Sequence, residues 1–410
     1  MTAPRGRPVR VGVFGLLGSG NLGNDGSLEA VLGYLRADHP EAVVDALCGG
    51  PEVVARRYGI RATRLHWYRG EYRTASRAGA VAGKGLGKLV DAFRTAAWVR
   101  RHDVVVVPGM GVLEATLPLR PWGFPYALFL LCAAGRLTGT PVALVGVGAA
   151  AIRDRPTRAL VRLAARLAAY RSYRDELSRD AMRRMGVDTS RDEVYPDLAF
   201  ALPVPAAPGP GDAPGTVCVG VMDFHGSNDD RARADEIHRR YLEGTTRFVR
   251  TLAGEGRPVR LVTGDGVDRA VVEAVLAAVD SPLVTASPAA SLAELMAEMA
   301  GADVVVAARY HNLVCALKAG TPTLAVSYAA KSDALMAGMG LGAYCHPARE
   351  LDVDRLLEQF RELEKGAAGA RRTLAEHNRA ATGRLAHQFT ALTTALFPAA
   401  DRPHALREAP

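Results

Sequence analysis

The stretch ADVVVAARYHNLVCALKAGTPTLAVSYAAKSDALMAGMGL, residues 302–341, decides the fold of this chain. Its first apolar run, residues 304–307, has the length and β-branched character of a buried strand. Arg309 and His311 follow with no turn residue between, and then a helical pattern runs through Leu317. Gly320, Thr321 and Pro322 mark a turn before a second apolar run, residues 324–326, which leads to Ser327, Tyr328 and Lys331. Two strands joined by a helix predict parallel neighbours, and the carboxyl ends of such strands border a ligand crevice. The expectation is that Arg309, His311, Tyr328 and Lys331 reach one edge of a sheet. A lone Arg or Lys beside a strand end is more often a solvated charge, and a lone His a hydrogen-bonded structural residue. Fixed cations together with a titratable imidazole, in two consecutive crossings, suit a small, highly charged anion that exchanges a proton.

A second signal of this kind lies near the amino terminus. RVGVFGL, residues 10–16, reads as a buried first strand, and GSGNLGNDG, residues 18–26, follows before a helix expected over residues 27–35. Gly18, Gly20, Gly23 and Gly26 let a ligand approach the main chain, and the helix amino terminus beyond favours an anion. The spacing is neither the dinucleotide fingerprint nor a P-loop. A tight strand–helix turn capped by Asn and Asp accounts for the glycines equally well. Asn21, Asn24 and Asp25, polar groups gathered at a strand end, point rather to binding.

Strand and helix signals alternate on both sides of PVPAAPGPGDAPG, residues 203–215, a proline and glycine linker. Before it, strands are expected near residues 11–14, 42–47, 104–107, 142–147 and 170, with helices near 126–137 and 156–168. The basic, glycine-containing residues 56–88 are expected to hold a helix and a mobile loop. Beyond the linker, strands at 217–221 and 259–263 alternate with helices at 235–254, 267–279 and 292–300. This pattern predicts an α/β protein of two doubly wound Rossmann-like domains facing a cleft, residues 1–202 and 216–350. A helical tail, residues 351–410, is expected to pack back across them, with the end past residue 397 frayed.

Composition narrows the function classes. The 410 residues suffice for two domains with full cores, and an apolar content of 49% excludes disorder over most of the length. The formal net charge is +8, but the basic residues are dispersed and accompany no nucleic-acid motif, so no nucleic-acid partner is expected. Cys48, Cys132, Cys218, Cys315 and Cys345 have neither metal-ligand spacing nor a disulfide framework, and no metal is expected. The start, MTAPRGRPVR, lacks a hydrophobic signal core, and the longest apolar stretch is too short to span a bilayer. The Arg- and Ala-rich residues 160–170 are better explained by a helix on a sheet than by a membrane surface. A cytoplasmic location is the expectation, peripheral at the inner membrane face where the substrate is membrane-bound.

Taken in order, several segments carry a family resemblance. They are GNLGND at residues 20–25, VPGMGVLE at 107–114, SYRDELSRDAMRRMGV at 172–187, YPDLAF at 195–200, the R-x-H of Arg309 and His311, and G-x-P followed by Tyr328 and Lys331. Over about residues 10–345 this series resembles the polysaccharide pyruvyl transferase family. The resemblance implies a glycosyltransferase-B-like fold. It also implies transfer of pyruvate from phosphoenolpyruvate to a diol of a sugar or glycan, free or lipid-linked, as a ketal. Phosphate is released and no further cofactor is implied.

On that reading residues 1–202 form the acceptor side and 216–350 the donor side. Arg309, Lys331 and Arg174, with Tyr328, contact the phosphate and carboxylate of the donor. His311 is the general acid, and Asp25 or Glu114 takes the hydroxyl proton. Gly20, Asn21, Gly23, Asn24, Asn312 and Asp265 are loop or acceptor candidates, and Asp223 and His225 at a strand end can also face the cleft. The chain departs from the pattern twice. Asn24 stands where many relatives have an acidic residue, with Asp25 next. Asn312 follows His311 in place of a small apolar residue, its amide either meeting a ligand or capping the helix. Two other classes stay open. A nucleotide-sugar-dependent glycosyltransferase needs an acidic ribose clamp, of which the sequence gives no convincing sign. A repurposed carbohydrate-binding relative has no need of an acid such as His311.

Overall fold

The valine-rich runs become the central strands of two parallel sheets in the computed structural model, which describes residues 7–67, 77–114, 121–206 and 215–397. The centre of the linker (207–214), the loop expected near residue 70 and the end past residue 397 lie outside those residues. The first sheet is built from β1 (Arg10–Gly15), β2 (Val43–Cys48), β3 (Arg61–Arg64), β4 (Val104–Pro108), β5 (Val142–Val147), β6 (Tyr170–Tyr173) and β7 (Glu193–Val194). The second holds β8 (Val217–Gly220), β9 (Val259–Val262), β10 (Val284–Ala286), β11 (Val304–Ala307), β12 (Thr323–Ser327) and β13 (Cys345–Pro347). Their spatial orders are β3-β2-β1-β4-β5-β6-β7 and β10-β9-β8-β11-β12-β13. Strands β4, β8 and β11 are buried at every position, so they read as unbroken apolar runs with no alternation.

The helices that cover the first sheet are α1 (Leu22–Asp38), α2 (Pro51–Tyr58), α3 (Arg77–Val99), α4 (Phe124–Thr138), α5 (Arg155–Leu167) and α6 (Glu176–Arg184). Those of the second are α7 (Ala234–Gly254), α8 (Arg269–Val279), α9 (Leu292–Ala300), α10 (Tyr310–Ala319) and α11 (Ala330–Gly338). The tail forms α12 (Val353–Lys365) and α13 (Ala367–Leu396), separated at Gly366. No helix among the described residues is long and apolar enough to cross a membrane. The five cysteines are free, and four are buried.

The chain divides into two compact units. The first comprises residues up to Ser19, Ser27–Leu198 and those from Leu385 on; the second comprises Ala199–Arg384 together with Gly20–Gly26. Each unit carries a switch point where the strand order reverses, between β1 and β4 and between β8 and β11. α/β proteins bind ligands outside the carboxyl ends of strands at such points.

Helix α1 starts at Leu22, five residues before the start expected from the sequence. Asn21 supplies the reason: its Oδ1 accepts the backbone N–H of Asn24 at 3.2 Å, the bond that opens a helix. Asn24 and Asp25 therefore belong to the first turn of α1 and not to a loop.

Candidate active site

In the second unit the strand ends gather most of the expected residues. Arg309 leaves β11 and is held by a two-pronged ion pair, Nε to Asp268 Oδ2 at 2.9 Å and Nη2 to Asp268 Oδ1 at 2.6 Å. Asp268 is fully buried, whereas the Arg309 side chain keeps 24% of its surface. Burial works to lower the Arg309 pKa, but the hydrogen bonds and charge of Asp268 outweigh it, so the guanidinium is firmly cationic. Asp268 also accepts the backbone N–H of Asp223 at 2.9 Å, which ties the segment after β8 to the same carboxylate.

His311 stands on the first turn of α10, its ring edge-on to Tyr310 with centroids 5.3 Å apart. Its other neighbour is the first turn of α1. A Cβ built on Gly23 would fall 2.0 Å from His311 Nδ1, so only glycine lets the two come this close. The contact is anchored on the far side by Asp265. Asn21 Nδ2 donates to Asp265 Oδ2 at 2.9 Å, and the Leu22 N–H donates to the Gly264 carbonyl at 3.2 Å. Asn21, Gly23, Asp265 and His311 thus form one constellation, linked through the 264–268 loop to Arg309. Asp25 is buried in the same helical turn, at 5% exposure, where the positive end of the helix favours its carboxylate.

Asn312 does not cap α10: it is fully buried beneath the loops. A Cβ at Gly220 would lie 2.7 Å from its Nδ2, and one at Gly264 would lie 2.6 Å from its Oδ1. Beyond β12, the Lys331 ammonium sits 5.8 Å from the ring centroids of both Tyr310 and Tyr328, a cation–π arrangement that steers the charge. Tyr328 also lines a cavity of about 400 Å³ at the ends of β12 and β13, with Ser327, Asp333 and Cys345. Burial, followed by the Asp333 charge and hydrogen bond, pushes the Cys345 thiol up to about 12, so it is no nucleophile at neutral pH.

In the first unit Arg174 is paired with Glu114. Arg174 Nη2 donates to Glu114 Oε1 at 2.7 Å, with Asp175 at 3.7 Å and Asp197 at 3.8 Å from the same guanidinium. The Arg174 and Asp197 side chains are 3% and 2% exposed, so a buried cation here faces three carboxylates. Gly111 and Gly148 make the room: a Cβ on Gly148 would lie 2.5 Å from Arg174 Nη2 and 2.6 Å from Glu114 Oε1. The turn after β4 bends through two consecutive left-handed residues, Gly109 at φ +48° and Met110 at φ +61°. Such strain in a non-glycine residue concentrates where a site needs an unusual backbone path.

With this geometry in place, a sequence profile of the polysaccharide pyruvyl transferase family matches residues 21–329. The chain belongs to that family. It is a transferase of polysaccharide biosynthesis. No curated protein sequence matches it significantly. Among solved structures, UDP-GlcNAc 2-epimerase from Neisseria meningitidis bound to UDP-GlcNAc aligns with a TM-score of 0.58 at 12% identity, over 94% of this chain and 99% of that one. MurG of Acinetobacter baumannii gives 0.54 at 15%, over 94% and 100%. Anabaena HepE in complex with UDP and glucose gives 0.52 at 12%, over 93% and 99%. At these identities the likeness is one of fold, a glycosyltransferase-B-like pair of Rossmann-like units.

In this member of the family the sequence motifs left three carboxylates unassigned. Asp268 is the second acid of the segment TGDGVD, of which only Asp265 drew notice; its partner Arg309 lies 41 residues away. Asp175 and Asp197 sit inside the quoted R-D and P-D motifs, and their common target, Arg174, was the available signal.

Proposed function

We propose that this member of the family moves pyruvate from phosphoenolpyruvate to two hydroxyls of a sugar, closing a ketal and releasing phosphate. The observation that carries this reading is the joint placement of Arg309 and His311 at the β8–β11 switch point. The cation is locked by Asp268 and the imidazole is seated against Gly23. A locked, permanently charged guanidinium suits the phosphate or carboxylate of the donor, and Lys331 supplies a second, point-like charge.

The chemistry then balances as follows. His311 gives a proton to the methylene carbon of the enol, leaving an oxocarbenium-like centre at C2. One sugar hydroxyl attacks that carbon and loses its proton to a carboxylate, for which Asp25, in the same unit as His311, is the candidate. The C–O bond to phosphate breaks, and the second hydroxyl attacks the same carbon, its proton ending on the departed phosphate. The net change is phosphoenolpyruvate plus diol to ketal plus phosphate. Arg174, bound by three carboxylates in the first unit, orders Glu114. Phosphoenolpyruvate places the reaction in the cytoplasm, and the acceptor is a sugar or glycan, free or lipid-linked.

One observation favours a second reading, a nucleotide-sugar-dependent glycosyltransferase. The cavity of about 400 Å³ beside Tyr328 is of a size that accepts a nucleoside. Calorimetric titration separates the two. Phosphoenolpyruvate binding that survives in His311→Ala and disappears in Arg309→Ala, followed by a ketal methyl signal in the NMR spectrum of the product, is expected. Binding of nucleoside diphosphates with no response to phosphoenolpyruvate overturns the pyruvyl reading.

A further inference from the structure

We propose that Asp223, His225 and His238 form a binding site for a divalent transition-metal ion. Each residue offers one ligand atom, and all three atoms lie within 4.8 Å of one another. Asp223 Oδ1 is 2.9 Å from His225 Nε2 and 3.2 Å from His238 Nδ1, a buried nitrogen that makes no hydrogen bond, so two ring nitrogens lie close to one carboxylate oxygen. The two imidazoles lie nearly parallel, centroids 4.4 Å apart and planes 9° apart. Two imidazole nitrogens gathered at one carboxylate oxygen are the donor set of a cation site.

The scaffold holds two of the three ligands before any ion arrives. The backbone N–H of Asp223 is bonded to buried Asp268 at 2.9 Å. Phe224, between the two loop ligands, is buried against Tyr241 at 5.7 Å and Tyr328 at 6.5 Å. His238 comes from the second turn of α7, a rigid element. The sequence hid the cluster because thirteen positions separate the histidines; the fold of the segment after β8 onto α7 brings them together.

Ligand chemistry and distance select the class of ion. Two imidazoles and one carboxylate suit zinc, cobalt or nickel, and lack the oxygen-rich shell that calcium or magnesium takes. Metal–nitrogen bonds of about 2.0–2.1 Å in a tetrahedron set ligand atoms roughly 3.3 Å apart. The present 2.9 and 3.2 Å separations therefore need to open by only a few tenths of an ångström. The rings must also turn out of parallel so that the ion lies in both planes. His225, 46% exposed, has the space to do so. Three protein ligands leave at least one position for water or an oxyanion, and the site sits at the β8 end beside the carboxylate that locks Arg309.

The test uses the full chain, stripped with chelator and dialysed, and needs no substrate, so it stands apart from the pyruvyl reading. Zinc chloride is titrated by calorimetry, and cobalt chloride by visible absorption. One saturable site per chain, with intense cobalt bands of low coordination number, is expected. His225→Ala and His238→Ala should each weaken zinc by more than about 100-fold, since even an outer partner of a metal ligand is worth 10–100-fold. Both side chains reach solvent, so circular dichroism melts of the variants should match the parent. Asp223→Asn, which keeps the shape and drops the charge, should weaken zinc as well. Absence of saturable binding, or zinc binding that both histidine variants retain, overturns the assignment.

Discussion

Replacing Gly23 by alanine adds one methyl group directly against His311. Gly23 has no left-handed backbone to lose, and alanine in a helix is worth about 1 kcal/mol over glycine, so the cost of the change lies in the contact with His311 and not in the backbone. The new Cβ would stand 2.0 Å from Nδ1, 2.2 Å from Cγ and 2.3 Å from Cε1 of the imidazole. To reach ordinary contact the ring must retreat by about 1.4 Å, and a displacement near 1 Å of a reacting group costs roughly 100-fold in rate. Arg309 and Lys331 are untouched, so phosphoenolpyruvate affinity should hold within about threefold, or less than 1 kcal/mol. The assay is phosphate release from phosphoenolpyruvate with an acceptor that the parent enzyme uses, beside calorimetry and a thermal melt. Gly26→Ala is the control, because its methyl meets Leu292 at 2.4 Å and not the imidazole. It should lower the melting temperature with little change in turnover. Full turnover of Gly23→Ala at an unchanged melting temperature would refute the placement of His311 in the rate-determining chemistry.

Three further outcomes follow from the same geometry. Asp268→Asn removes the charge and one of the two acceptors of Arg309 and leaves a partly buried cation. Breaking a buried pair costs about 3–5 kcal/mol, less for a partly exposed arginine, so a fall of roughly 5–10 °C in melting temperature with loss of phosphoenolpyruvate binding is expected, read by calorimetry. Gly148→Ala drives a methyl into the Glu114–Arg174 pair; overpacking of this kind costs about 1–3 kcal/mol, measurable by urea unfolding. Acid stability should depend on Asp45. Burial works to raise its pKa, but the hydrogen bonds and charge of His102, with Trp98 Nε1 at 2.8 Å, hold it below the usual carboxylate range. A depressed folded pKa gives stability that is present above the unfolded value, about 3.9, and is lost as pH falls through the folded one. The difference between the parent and Asp45→Asn in urea melts should therefore shrink as pH drops below about 4; a pH-independent difference would contradict the assignment.

What the sequence made legible was whatever depends on a contiguous run. Val304–Ala307 is buried throughout and was readable as a strand, and with it the departure points of Arg309 and His311. Helix α9 begins and ends where its pattern does, because Ser291 caps it through the Glu294 N–H at 3.1 Å. Elements whose stability comes from distant partners stayed hidden. Strand β13 contains His346, a poor strand former by type, held because Gln359 and the Asp352 N–H occupy its two ring nitrogens. Strand β10 buries only Val284 of its three residues, too little for any periodicity. The early start of α1 was masked by Gly23 and Gly26, which look like breakers; their real constraint is the closeness of His311 and Leu292. Asp268 escaped for the same reason, since nothing local shows that an arginine 41 residues on will claim it.

The Asn312 amide, wedged between Gly220 and Gly264, imposes an order on how this corner of the protein can change over generations. A methyl at either glycine would stand within 2.7 Å of an amide atom, so neither glycine can be the first to mutate without displacing the helix that carries His311. Position 312 must shrink before position 220 or 264 can grow. The three residues should therefore be inherited as a block, and a random library should recover Gly264→Ala chiefly beside a small residue at position 312.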